Sequence, residues 1–250
     1  MDRLICITCS GANEHVDVEK LLRLGQKYPM VEFGIQVTAK KCSKDSPRYL
    51  WIQVLHQNIG LRYFPHLALH LNTDWVDGFI AGQIAPELDE LLRLENFYRD
   101  PLFERVQLNF KIGRNVDPVT GTLLSHIKEY GDGRRFVFSC NESNVAYLHS
   151  LYKFGLRNFD VLYDSSFGEG VKAEKYAEPA FFDENIRQGY AGGLSPDNIA
   201  EELAKIGSVV PYNRGFFIDA EGKLKGDEGF LSLEKCETYI QNALAWQNAH

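Results

Sequence analysis

What most constrains the fold of this chain is an alternation that repeats along its whole length: a short β-type run, polar loop residues, then a helical pattern. The strand candidates are Leu4–Thr8, Val31–Val37, Leu67–Leu71, Arg105–Asn109, Arg135–Ser139, Phe159–Tyr163, Gln188–Ala191 and Gly215–Ile218. Between them, Val18, Leu21 and Leu22 share a helical face, as do Ile199, Leu203 and Ile206, and then Cys236, Tyr239, Ile240 and Leu244. Strands that alternate with helices predict a parallel sheet with crossover helices. Eight strand candidates in 250 residues match the count of a closed (β/α)8 barrel. An open doubly wound sheet is the alternative, and it usually has fewer strands and a switch-point crevice. The expectation is an α/β protein, a single (β/α)8 TIM barrel over residues 1–250, because no Pro/Gly/Ser linker divides the chain.

Two helix starts are readable. Ser195-Pro196 places a capping hydroxyl before a proline whose missing N–H costs nothing at the first helical position, and Ser232 stands likewise before the last helix. Trp51, Trp75 and Trp246 fall on helical segments, where core packing explains them.

Composition narrows the partners. Hydrophobic residues make up 44% and charged residues 24% of the chain, ordinary for a globular protein. No apolar run approaches the ~20 residues of a spanning helix, so no membrane partner is expected. The net charge of -7, with no Lys/Arg cluster to offset it, argues against nucleic acid. Five scattered cysteines fit reduced thiols, and MDRLICITCSGANEH is too polar for a secretory signal, so a cytoplasmic protein is expected. At this length the core can be large without a structural metal or disulfide. Glu14-His15, His66 and His70 lack helical metal-ligand spacing. His70 could face the barrel, and a satisfied interior histidine is the reading adopted.

In such a barrel the chemistry sits at the carboxyl ends of the strands. Gly189-Tyr190-Ala191-Gly192-Gly193-Leu194-Ser195-Pro196-Asp197-Asn198 follows the seventh strand candidate. Glycines let backbone N–H groups approach an anion, and a helix N-terminus adds a favourable dipole. The same residues also suit a tight turn before a capped helix. Position favours the anion, because loops after strands seven and eight commonly hold phosphate.

AGGLSPDN at 191–198 resembles the strand-seven motif of the phosphoribosylanthranilate isomerase family. Four further stretches resemble that family in the right order: Ser46-Pro47-Arg48-Tyr49, Leu69-His70-Leu71-Asn72, Val106-Gln107-Leu108, and the run from Leu162 through Asp164 to Lys172. The resemblance implies an Amadori rearrangement of N-(5'-phosphoribosyl)anthranilate without metal or organic cofactor. An acid protonates the ribose ring oxygen, and a base then removes the C2' proton. Carried over, Asp164 is the acid and Arg48 the contact to the anthranilate carboxylate. Gln107 and Asn109 bind substrate, and Gly192, Gly193 and Gly222 bind phosphate. The family's base is a cysteine ending the first strand. Cys6 and Cys9 must face opposite sides of that strand. Cys9, nearer its end, is assigned as base, and Cys6 is read as a buried, apolar residue. The implied partner is a small phosphosugar-type substrate, bound by a monomer or homodimer.

Three departures bear on that activity. Asn109-Phe110 stands where the family has His-Gly. Asp219-Ala220-Glu221-Gly222-Lys223 replaces a Ser-Ser-Gly loop, and Glu169 replaces a small hydroxyl residue. Carboxylates at Glu169 and Glu221 oppose phosphate unless Glu221 points away or Lys223 or Lys225 compensates. The alternatives are a divergent member acting on another sugar or phosphosugar, and a non-catalytic metabolite-binding barrel.

Overall fold

Each strand begins where a β-branched or aromatic run alternates with polar residues, and every such run pairs with its sequence neighbours. The strands are β1 (Leu4–Ala12), β2 (Val31–Val37), β3 (His66–Leu71), β4 (Arg105–Leu108), β5 (Arg135–Cys140), β6 (Phe159–Asp164), β7 (Gln188–Ala191) and β8 (Phe216–Ala220). All pairs are parallel, and β8 pairs with β1, closing a single (β/α)8 barrel. This computed structural model describes residues 3–59, 65–114, 117–164 and 173–250.

The helices are α1 (Val18–Lys27), α2 (Pro47–Ile59), α3 (Thr73–Ala81), α4 (Pro86–Leu92), α5 (Thr120–Tyr130), α6 (Val145–Lys153), α7 (Ile199–Val209) and α8 (Leu233–Ala249). Alternate residues of β2, namely Val31, Phe33, Ile35 and Val37, are fully buried in the layer between barrel and helices. That layer is the main core and takes in Trp51, Trp75 and Trp246, as expected. Among the described residues, no helix is long and apolar enough to cross a membrane.

The one-strand, one-helix alternation departs in two places among the described residues, with two helices between β3 and β4 and a stretch without helix before β7. Residues 173–187, between β6 and β7, carry no helix. Aromatic and arginine contacts anchor this stretch. Phe181 packs on Phe159 with ring centroids 5.4 Å apart, and Arg214 donates to the carbonyls of Phe181, Asp183 and Ile186.

The lumen is polar at its base. Thr8 Oγ1 donates to Glu32 Oε1 at 2.9 Å, Arg105 Nη1 donates to the same oxygen at 3.1 Å, and the guanidinium lies 4.1 Å from the Phe217 ring centroid. Two strand glycines create the room. A Cβ on Gly189 would sit 2.2 Å from the Phe217 ring, and one on Gly34 would sit 2.6 Å from both His70 Cε1 and Ser10 Oγ. Bulky lumen side chains occupy the space that these glycines leave.

Several boundaries differ from the sequence reading. β1 continues four residues past Thr8 and β8 two past Ile218, because pairing with their neighbours outweighs the polar composition of those ends. Gly11, at φ 99°, carries the register shift between Ser10 and Ala12. Helix α7 starts at Ile199 rather than at Pro196, and Ser195 to Asn198 form a turn before it. Ser232 caps α8 as expected, its hydroxyl accepting from the Lys235 amide.

Candidate active site

The carboxyl ends of the strands surround a cavity of about 540 Å³. Ser10 (β1), Gln36 (β2), His70 (β3), Gln107 (β4), Ser139 (β5), Asp164 (β6), Ala191 (β7) and Asp219 (β8) all line it, so every strand contributes. Of the residues proposed from sequence, the cavity brings together Asp164, Gln107, Asn109, Gly192, Gly193 and Gly222. Cys9 and Arg48 are not among its lining residues.

Cys9 is fully buried on the opposite face of β1, against Cys236 of α8. Hydrogen bonding to Cys236, with burial, pushes its thiol well above the ordinary range. The pairing of inward with outward positions explains the placement. Thr8 and Ser10 face the lumen, so Cys9 between them cannot. Cys6 shares the lumen face but sits at the barrel base, 3.6 Å from Arg105 Nη1, and burial pushes its thiol to about 12. The thiol base expected at position 9 is therefore absent from the cavity. Cys140 does line it, but burial pushes that thiol to about 11 and holds it protonated at neutral pH.

Arg48 lies at the start of α2 and is nearly buried. Its guanidinium pairs with Glu14 and donates to the Gln36 carbonyl at 2.7 Å. These contacts tie the loop after β1 to the end of β2.

The floor of the cavity centres on Asp219. Its Oδ1 accepts from Ser10 Oγ at 2.5 Å, with Gln107 of β4 beside the carboxylate. Burial raises this carboxyl to about 7, with Glu221 acting in the same direction and Ser10, Arg105 and Gln107 against it. His70 stands beside Ser10 over Gly34, and its buried Nε2 has no hydrogen-bond partner. Burial lowers His70 to about 4, so the imidazole is neutral. An amide chain borders this floor: Gln107 Nε2 donates to Asn109 Oδ1, Asn109 Nδ2 to Asn72 Oδ1, and Asn72 Nδ2 to the His70 carbonyl.

The rim carries the charges. Lys111, Arg114, Lys223 and Lys225 line the mouth. Glu221 reaches away from the β7 loop: its Oε2 accepts from Gln36 Nε2 at 2.5 Å and its Oε1 pairs with Lys225 Nζ at 3.0 Å. Gly11 permits that approach, since a Cβ there would lie 3.2 Å from Glu221 Cγ. The carboxylate that opposed phosphate in the sequence is thus neutralised on the β1–β2 side. Glu169 and Lys172 lie outside the described residues.

Gly192 and Gly193 adopt φ of 104° and 64°, and both line the cavity. Asn198 Nδ2 donates to the Gly193 carbonyl at 2.9 Å, which fixes the loop. Because α7 begins at Ile199, the helix dipole acts here from beyond its effective first turn. The loop's own amides are the local anion donors.

Asp219, Ser10 and His70 were missed as a unit in the sequence. Ending the first and eighth strands early removed the two-residue alternation that puts Ser10 and Asp219 on the lumen face. Among the described residues, no group of three His, Cys, Asp or Glu side chains converges as metal ligands.

These features define a (β/α)8 barrel with a polar, charged pocket at its carboxyl mouth, the usual position of barrel active sites. No family model and no curated protein sequence matches the chain. Solved structures do. The chain is similar to phosphoribosyl anthranilate isomerase from Thermotoga maritima, with 14% identity, a TM-score of 0.55, and 97% of this chain and 100% of that one covered. TrpF from Jonesia denitrificans gives 13% identity and a TM-score of 0.57, covering 98% and 100%. A phosphoribosyl anthranilate isomerase solved with reduced 1-(o-carboxyphenylamino)-1-deoxyribulose 5-phosphate gives 13%, 0.55, and 97% and 100%. The likeness is one of fold over nearly the whole chain.

Proposed function

We propose that the protein is a phosphoribosylanthranilate isomerase-like enzyme, performing a general acid/base aldose-ketose rearrangement on a small phosphosugar-type substrate. The observation that carries this reading is the convergence of Asp164 and the Gly192–Gly193 loop on one cavity at the barrel's carboxyl mouth. The ligand held by one structural neighbour, a reduced aminodeoxyribulose phosphate, supports the substrate class. In this reading Asp164 protonates the ribose ring oxygen, opening the ring to a protonated imine. The Gly192–Gly193 amides and Gly222, with Lys223 nearby, hold the phosphate, and Gln107 and Asn109 bind the sugar. The reaction as written requires no metal or organic cofactor.

Asp164→Asn tests it. The variant is expected to fold as the wild type by circular dichroism and to lose about 10²- to 10⁴-fold in turnover of N-(5'-phosphoribosyl)anthranilate. Unchanged turnover would sink the assignment of Asp164.

A second reading, a barrel of the same kind acting on a different sugar or phosphosugar, is favoured by one observation. Arg48, the residue matched to the anthranilate carboxylate, is engaged by Glu14 and the Gln36 carbonyl. Calorimetry with the reduced analogue separates the two. Tight binding supports the anthranilate substrate, and its absence supports another sugar.

A further inference from the structure

The rearrangement needs a group to accept the C2' proton, and the thiol of Cys9 is on the wrong side of its strand. The cavity floor supplies another candidate. We propose that Asp219 is the proton acceptor, its carboxylate held by Ser10; this rests on the isomerase reading above.

Four observations carry it. Asp219 belongs to β8 and lines the same cavity as Asp164 of β6, so an acid and a base share one space. Ser10, from the strand where a cysteine was expected, presents its hydroxyl to Asp219 at 2.5 Å. The pocket-facing place on β1 thus holds a group that orients a carboxylate. Arg105, the nearest buried cation, is held by Glu32 and the Phe217 ring, which leaves the Asp219 carboxylate available to a proton. His70 Nε2, buried beside Ser10 without a partner, is a neutral hydrogen-bonding group that a ligand hydroxyl satisfies.

The step balances. The C2'–H bond breaks and its proton passes to the Asp219 carboxylate. The electron pair forms the C1'–C2' double bond and neutralises the protonated imine nitrogen. Asp219 then returns the proton to C1'. The 2'-hydroxyl loses its proton through solvent to Asp164, which restores the acid and leaves the ketone.

The charged and titratable groups around Asp219 are Glu221 just past the end of β8, Arg105 from β4, and, behind the barrel wall, Cys9 of β1 and Tyr239 of α8, with Ser10 of β1 and Gln107 of β4 as its polar neighbours. Burial raises its carboxyl and the Ser10 hydrogen bond opposes that. Removing the hydroxyl therefore moves the acid limb of the pH profile upward.

The test uses the full chain, N-(5'-phosphoribosyl)anthranilate as substrate and its reduced, non-reacting analogue as binding probe. Asp219→Asn is expected to lose at least about 10²-fold in kcat while the analogue's Kd stays within about threefold. Ser10→Ala is expected to lower kcat less than Asp219→Asn does and to shift the acid limb of kcat/KM to higher pH. Circular dichroism and Tm establish that both variants fold. An active wild type whose Asp219→Asn form keeps its kcat overturns the assignment and leaves the isomerase reading standing. A loss of analogue affinity that matches the loss of kcat/KM, with no shift of the Ser10→Ala profile, makes Asp219 a binding group and also overturns it. A wild type that does not turn the substrate over overturns both.

Discussion

Two residues of the floor titrate far from their ordinary ranges, in opposite senses for stability. The Asp219 carboxyl is raised by burial from 3.8 to about 7 in the fold. Its contribution to stability is complete below about pH 4 and is lost as pH rises to about 7. Asp219→Asn removes that titration, so the variant gains on the wild type between pH 5 and pH 8, by about 3 kcal/mol. Denaturant melts at the two pH values check this, and a gap that stays constant refutes it. His70 is lowered from 6.5 to about 4, so its contribution is present above the unfolded value and lost as pH falls through 4. Cys9 belongs to the same scale. Its thiol packs against Cys236 outside the cavity, and Cys9→Ser is expected to leave kcat unchanged while lowering Tm. A loss of turnover in a well-folded Cys9→Ser protein would return the thiol to the mechanism.

At the scale of the element, strand ends decided which residues could act. The sequence reading placed β2 and β7 at their observed bounds, because Val31–Val37 and Gln188–Ala191 are flanked by clear changes of pattern. It shortened β1 and β8, whose last residues are small or polar and are held in strand by neighbours across the barrel. Four missing residues in β1 put Cys9 at a loop edge, where either side is open to it, instead of mid-strand, where parity sends it outward. The Gly-rich loop after β7 was legible from its composition. The turn that separates it from α7 was not, because Ser195, Pro196 and Asn198 serve a cap and a turn equally well. Lumen glycines are a sharper element-level test. Gly189→Ala drives a methyl into the Phe217 ring, and overpacking of this kind costs about 1–3 kcal/mol. An unchanged denaturation midpoint would mean that the Phe217 ring yields freely.

For the whole molecule, the closed barrel sets a buried ion pair under the site. Arg105 bridges from β4 to Glu32 on β2 across the lumen. Glu32→Ala leaves the guanidinium buried without its partner, which costs about 3–5 kcal/mol. Thermal and denaturant melts measure it, and a wild-type stability in that variant would show that the pair is dispensable. The mouth makes a second global prediction. A ligand that binds only the folded state raises stability by mass action, so inorganic phosphate is expected to raise Tm in a concentration-dependent way. Gly192→Ala is expected to abolish that rise, because φ of 104° strains an alanine. An equal rise in both proteins would place the anion elsewhere.

The sequence by itself determined the eight strands, their parallel arrangement and the single closed barrel, because those follow from local periodicity and from the count of elements. It also determined that Asp164, Gln107, Asn109 and the strand-seven glycines reach the mouth, since each lies at or just beyond the carboxyl end of a strand. The tertiary structure alone decided the rest. Whether Cys9 or Ser10 faces the lumen depends on strand parity across the β1–β8 seam. Whether Arg48 and Glu221 meet a ligand or each find a partner depends on contacts the closed barrel makes, Glu14 and the Gln36 carbonyl for the one, and for the other the distant Gln36 side chain together with Lys225 four residues on. A linear pattern carries the faces of elements, and only their closure brings those faces together.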